Sequence, residues 1–129
     1  MTRAICAVLG FLVVVGGSAL AHHGYADFDR NRTVTIEGEL QELLYANPHI
    51  VMKVRTASDV YTVSWESPNS VLRRIHFTAT TFKIGDHLSV TGSPSRDASA
   101  HILALVREVV RPSDGWRWGI QSAAPSGTN

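Results

Sequence analysis

The chain has almost no cysteine. Its single thiol, Cys6, lies in an N-terminal segment expected to be removed, so the mature protein would hold no disulfide and no thiol. That excludes cysteine nucleophiles and zinc–thiolate sites. An exported domain without disulfides also reads more like a bacterial periplasmic protein than a small extracellular scaffold. A surplus of positive charge is missing as well. Without Arg3, Lys plus Arg equals Asp plus Glu at 11 each. No basic stripe is present to neutralise a phosphate backbone, so nucleic acid loses its main attraction. The one adjacent basic pair, Arg73-Arg74, reads as the solvated face of a helix. No hydrophobic run is long enough to span a bilayer: the apolar stretch from Ala4 to Val15 is well short of the roughly 20 residues required. Cys6 sits inside that stretch and not at its end, so neither a transmembrane nor a lipoprotein anchor is expected. The chain also lacks a Gly-x-Ser-x-Gly elbow, a phosphate loop and a His-Glu-x-x-His helix. Nothing in it calls for an enzyme.

What is present begins with an export signal. Arg3, the apolar run, Gly16-Gly17-Ser18 and the small-x-small pair Ala19 and Ala21 form the three-part layout of a signal peptide, with cleavage expected after Ala21. Removing 21 of the 129 residues leaves 108, enough for one small domain. The division expected is a signal over 1–21, an arm over 22–32, a barrel over 33–111, and a C-terminal segment with a flexible tail over 112–129.

The barrel is read from periodicity. Thr33 to Leu40 alternates, with Val34, Ile36 and Leu40 on one face. Gly38 falls on that face in mid-strand, where it would permit a bend or bulge. After Glu42 the phase slips through Leu43, Leu44 and Tyr45, as a long bent first strand would require. Ala46-Asn47-Pro48 breaks it. A second strand over His49–Arg55 turns Ile50, Met52 and Val54 inward, and a third over Val60–Glu66 turns Tyr61, Val63 and Trp65 inward. The period then changes. Ser67 is an N-cap and Pro68 a first helical residue, and Val71, Leu72 and Ile75 form the stripe of a two-turn helix ending before Thr78. A fourth strand turns Leu88 and Val90 inward, Ser93–Ser99 is a polar turn, and Ala100–Arg111 is a long fifth strand ended by Pro112. Asp114-Gly115 makes a turn, after which Trp116 and Trp118 are expected to pack back. Three strands, a helix and two strands is the order of a five-stranded Greek-key barrel of the OB type, mainly β, with one short helix between strands three and four. A half-open β-sandwich with one helix is the alternative.

Several short motifs run through this frame: Ala21-His22-His23, Phe28-Asp29, Glu37-Gly38, Asn47-Pro48-His49, Trp65-Glu66, Gly85-Asp86 and Gly92-Ser93-Pro94-Ser95-Arg96-Asp97. Together they resemble a family of small exported bacterial proteins known only as a domain of unknown function. Relatives often carry Gly after Arg-Asp where this chain has Ala98. The resemblance implies export and a small β-rich fold, and no activity.

The strongest chemical feature is the new start that cleavage would create. A free α-amine has a pKa near 8, so part of it is neutral at pH 7. With the His22 ring it can chelate one metal ion, and His23 adds a second imidazole. A nitrogen-rich set of this kind favours Cu(II). His49, after Asn47-Pro48, is the preferred third ligand. In OB barrels the turn between strands one and two and the turn between strands four and five rim the ligand face, so Asn47, Arg96 and Asp97 are taken as a ligand rim beside it. Each has a plainer reading: a frayed terminus, a histidine bonded to its own turn, and a turn held by Asp97 with a solvated Arg96. His76, His87 and His101 read as residues flanking element ends, and Tyr61 and Trp65 as core. The expectation is a periplasmic binding module that takes copper. The rival is a metal-free module binding a protein or small ligand at the rim.

Overall fold

Strand β1 (Val34–Leu44) serves two partners. Its first half pairs antiparallel with β4 (His87–Pro94), from Val34 opposite Gly92 to Glu39 opposite His87. Its second half pairs antiparallel with β2 (Val51–Arg55), from Glu39 opposite Arg55 to Leu44 opposite Val51. The register shifts between Leu40 and Glu42. This bulge is the phase slip visible in the sequence, and it lets one strand turn the corner of a barrel. The computed structural model describes residues 24–119.

β2 continues as a hairpin into β3 (Val60–Ser64), and β4 into β5 (Ile102–Arg111). The sheet order is β3-β2-β1-β4-β5-β6, closed by a parallel contact of β3 with β5 through Thr62 opposite Ile102 and Val63 opposite Leu103. The result is the closed five-stranded barrel of OB type, with helix α1 (Pro68–Ile75) between β3 and β4. Trp116–Gly119 forms β6, paired with β5 through Val109 opposite Trp118, so it extends the sheet beyond the barrel.

Ile50, Met52, Val54, Val63, Leu88 and Val90 are fully buried, as their alternation requires. Ser67 caps α1 by accepting from the Ser70 N–H at 3.3 Å, and Pro68 follows at the first helical position. The helix ends on His76, whose left-handed backbone (φ 54°) directs its N–H to the Leu72 carbonyl. Leu72 departs from the expected stripe. Val71 and Ile75 are one turn apart and share a face, whereas Leu72 is rotated about 100° from Val71 and lies exposed. Arg73 and Arg74 are exposed, as read.

Over the helix end, five aromatic rings meet edge to face. Trp118 meets Trp65 at 5.2 Å, Trp65 meets Phe77 at 4.9 Å, Phe77 meets Phe82 at 4.9 Å, and Phe82 meets Trp116 at 4.8 Å. Trp116 and Trp118 therefore pack back onto the barrel.

Beside this cluster Arg111 ties three segments together. Its guanidinium donates to Asp86 at 2.8 Å, to Asp114 at 2.9 and 3.1 Å and to the Thr81 carbonyl at 2.9 Å, and it lies over the Phe82 ring. Burial alone would raise the Asp86 carboxyl. Hydrogen bonds from the Lys83 N–H and Arg111, with the Arg111 charge, outweigh it and leave Asp86 below its ordinary 3.8. Arg111 and then the Trp116 N–H likewise hold Asp114 below that value. Carboxyls lowered in the native state stabilise it above their unfolded pKa, and that contribution is lost as pH falls through the lowered folded values. The urea midpoint is therefore expected to fall as pH drops from about 5 towards about 2. Arg111→Met should flatten that decline. An equally steep decline in the variant would contradict this account.

Candidate binding site at the arm end of the barrel

The chain enters the fold as a single 3-10 turn, Tyr25–Asp27, closed by the Asp27 N–H on the Gly24 carbonyl at 2.9 Å. Phe28 follows, buried, and bridges Ser95 in antiparallel fashion. The Asp29 N–H donates to the Pro94 carbonyl at 3.0 Å. Arg96 completes the attachment twice: its backbone N–H reaches the Asp27 carbonyl at 2.9 Å, and its Nε reaches the Ala26 carbonyl at 3.0 Å. The arm is thus sewn onto the turn between β4 and β5, and Arg96 is the stitch.

Asp97 shapes that turn. Its Oδ1 accepts from the Ser99 hydroxyl at 2.6 Å and the Ser99 N–H at 3.0 Å, capping the 3-10 turn Ala98–Ala100. Those two hydrogen bonds, the hydroxyl first, hold its carboxyl below the ordinary value. His101 comes next, in the left-handed region at φ 47°. Few side chains sit there without local compensation, and such positions gather at functional sites. Its carbonyl accepts from the Thr62 N–H at 2.9 Å. Its ring lies 5.3 Å from that of Tyr61, and its Nε2 is 3.6 Å from Asp59 Oδ1. The second distance is an ion-pair approach and too long for a hydrogen bond.

A cavity of about 160 Å³ opens here. Val34, Ile36 and Ile102 give it apolar lining, and Arg32, Tyr61, Ser95, Asp97 and His101 supply polar groups. A second cavity of about 320 Å³ shares Ser95, Asp97 and Ile102 with the first and adds Asp27, Arg96 and Ala100. At about 160 Å³ the first is smaller than the roughly 300–1,000 Å³ usual for a small-ligand site, and its lining mixes polar and apolar groups.

The expected ligand rim is not one site. Arg96 and Asp97 belong to the arm end, at the Val34 end of β1. Asn47 and His49, both exposed, lie beyond the Leu44 end. Their turn contains a cis Asn47–Pro48 bond and is held near α1: the Ile50 N–H donates to the Glu66 carbonyl, and Tyr45 Oη donates to the Phe77 carbonyl at 3.1 Å. The physical reason is the partner switch of β1. Its β2 hairpin leaves from one end, and the β4–β5 turn meets the other. His22 and His23 lie outside the described residues. Among the described residues no three His, Asp or Glu side chains group to hold a metal ion. Nor is any helix among them long and apolar enough to cross a membrane.

Sequence reasoning passed over His101 as a strand-flanking residue. Its left-handed backbone and its approach to Asp59 and Tyr61 depend on the β3–β5 closure, and no local motif marks that contact.

Fold and site together define a small OB-type barrel with an arm fastened across one end beside a cavity. The chain belongs to a family of unknown function (DUF6152), whose model matches residues 9–104. No curated protein matches it significantly. Among solved structures it is similar to a ZRD-deleted mutant of TiaS in complex with agmatine, at 13% identity and a TM-score of 0.48. That match covers 75% of this chain and 24% of the other.

Proposed function

We propose that the mature chain is a periplasmic binding module that works at the arm end of its barrel and holds a copper ion through His22 and His23. The donor set is the argument for the metal: an α-amine and two adjacent imidazoles form a compact nitrogen-rich chelate, which Cu(II) favours over other divalent first-row ions. The observation that carries the reading is the fastening of the arm. A chain start is ordinarily frayed, but here Ala26, Asp27, Phe28 and Asp29 are all bonded to the β4–β5 turn. A protein starting at His22 would have only two residues ahead of Gly24, the first described residue.

A metal-free reading has its own support in the cavity between Tyr61, Asp97 and His101. It would take a small ligand or a partner's side chain on the same face. One experiment separates the two. The intact mass of the exported protein is expected to correspond to a start at His22, and equilibrium dialysis is expected to return one Cu(II) per chain. Tyr61→Ala should leave that stoichiometry unchanged. A different start, or no copper retained, would overturn the copper reading and leave the cavity as the site.

A further inference from the structure

We propose that the Asp114–Gly115 turn is a latent isoaspartate site, held closed by Arg111, and that its conversion loosens β6 from the aromatic cluster. The site is independent of the copper reading. Of the aspartates and asparagines in the chain, Asp114 alone is followed by glycine. An aspartyl side chain cyclises most readily onto a glycine, because no side chain there obstructs the attacking peptide nitrogen. The Asp114 side chain is 51% exposed, and a Cβ on Gly115 would meet nothing within 4 Å. Water therefore reaches the turn.

The chemistry needs no reagent but water. The Gly115 nitrogen attacks the side-chain carboxyl carbon of Asp114. The proton of that nitrogen and the hydroxyl of the carboxyl group leave together as water, and a succinimide ring closes. Water then opens the ring at the main-chain carbonyl. The bond from that carbon to the Gly115 nitrogen breaks, the nitrogen regains a proton, and the chain now runs through the side-chain carbons. One methylene has entered the backbone, and an α-carboxylate hangs beside it. Nothing is oxidised or reduced, and the net change is an isomerisation.

The fold gathers the reacting groups and withholds the reaction. Asp114 Oδ1 accepts from the Trp116 N–H at 3.1 Å, an Asx turn that folds the carboxyl back over the Gly115 peptide. Two restraints oppose ring closure, and both come from Arg111. Its guanidinium grips both carboxyl oxygens, Nε on Oδ1 at 3.1 Å and Nη2 on Oδ2 at 2.9 Å. The same grip holds the carboxyl below its ordinary value, and an ionised carboxylate has no hydroxyl to lose. The attacking group is occupied as well, since the Gly115 N–H donates to the Arg111 carbonyl at 3.1 Å. Asp86 and the Thr81 carbonyl fix the guanidinium from the other side. Conversion would undo this arrangement. The added methylene falls between Arg111 and its register partner Trp116, and the carboxylate moves off the guanidinium. Trp116 at 4.8 Å from Phe82, and Trp118 at 5.2 Å from Trp65, are the rings that β6 holds in place.

Arg111 is here a positioning residue, and the test follows isoaspartate at residue 114 by peptide mapping during prolonged incubation at neutral pH. The urea-unfolded protein gives the unrestrained rate. The native parent is expected to convert at least about tenfold more slowly, the factor that one hydrogen bond to a charged group is worth. Arg111→Met, shown to be folded by tryptophan fluorescence, should recover most of that factor. Arg111→Lys should recover only part, because an ammonium cannot grip both oxygens as a guanidinium does, and it decides the matter if Arg111→Met does not fold. Val90→Ala weakens the fully buried core with Arg111 in place. It should convert at the parent's rate while folded, which separates local restraint from general instability. In the converted protein the amides of Trp116–Gly119 are expected to exchange faster with solvent than in the parent. A native parent that converts as fast as the unfolded chain would overturn the site's restraint. So would folded Arg111 variants no faster than the parent, or a rise matched by Val90→Ala. Unchanged exchange in Trp116–Gly119 after conversion would overturn the loosening of β6.

Discussion

Phe77→Ala is expected to destabilise the protein by about 3–5 kcal/mol. Phe77 is fully buried and touches the rings of Tyr45, Trp65, Phe82 and Trp116. Removing it deletes the apolar contact of a whole ring and leaves a cavity walled by other large rings. Those rings come from β1's end, β3's end, the segment before β4 and β6, so they cannot collapse inward together. Edge-to-face geometry adds about 0.5–1.5 kcal/mol per pair beyond the area buried. Against a total of about 5–15 kcal/mol for a domain, the loss is large. Urea unfolding followed by tryptophan fluorescence measures it, since Trp65 and Trp116 report on the same cluster. A cost under about 1 kcal/mol would mean that the aromatic cluster does not hold the helix end onto the barrel.

Gly38→Ala is expected to be as severe for a different reason. A Cβ at Gly38 would stand 2.1 Å from the Arg55 carbonyl oxygen, 2.6 Å from its carbon and 3.0 Å from the Thr56 nitrogen. All three are backbone atoms, so no side chain can swing aside. Gly38 lies just before β1 gives up β4 and takes β2, and the end of β2 crosses directly over it. Accommodating one methyl group requires parting the two strands where the barrel turns its corner. The expected result is a loss of more than about 3 kcal/mol, in the range of severe strain and overpacking. Gly24→Ala is the control, because a Cβ there meets nothing within 4 Å. If Gly38→Ala unfolds within about 0.5 kcal/mol of the parent, the close crossing of β2 over β1 is wrong.

Much of the barrel was legible because its strands bury one face and expose the other, so period two is written into Ile50, Met52 and Val54 and into Leu88 and Val90. The helix was legible because Ser67-Pro68 is local chemistry. Gly38 was noticed, but as a bend. Its close approach to Arg55 depends on a partner strand that one sequence does not identify. β6 escaped notice because four residues carry too little alternation to separate a strand from an extended tail. Arg111 escaped because Asp86 joins it only through the fold. The candidate site shows the same division. Arg96 and Asp97 were marked by their turn motif, though their work is to bind the arm and cap the turn. His101 has no local mark, and the side on which His49 falls is decided by the partner switch in β1.

The central claim is that copper binds a start made by His22 and His23. It is tested most directly by a Cu(II) titration followed by EPR, comparing protein that begins at a free His22 with protein carrying one additional residue before it. The account predicts tight one-to-one binding with several nitrogen couplings in the first and its loss in the second, because the extension removes the α-amine of His22 from the chelate. Weak binding of equal strength in both forms would contradict it.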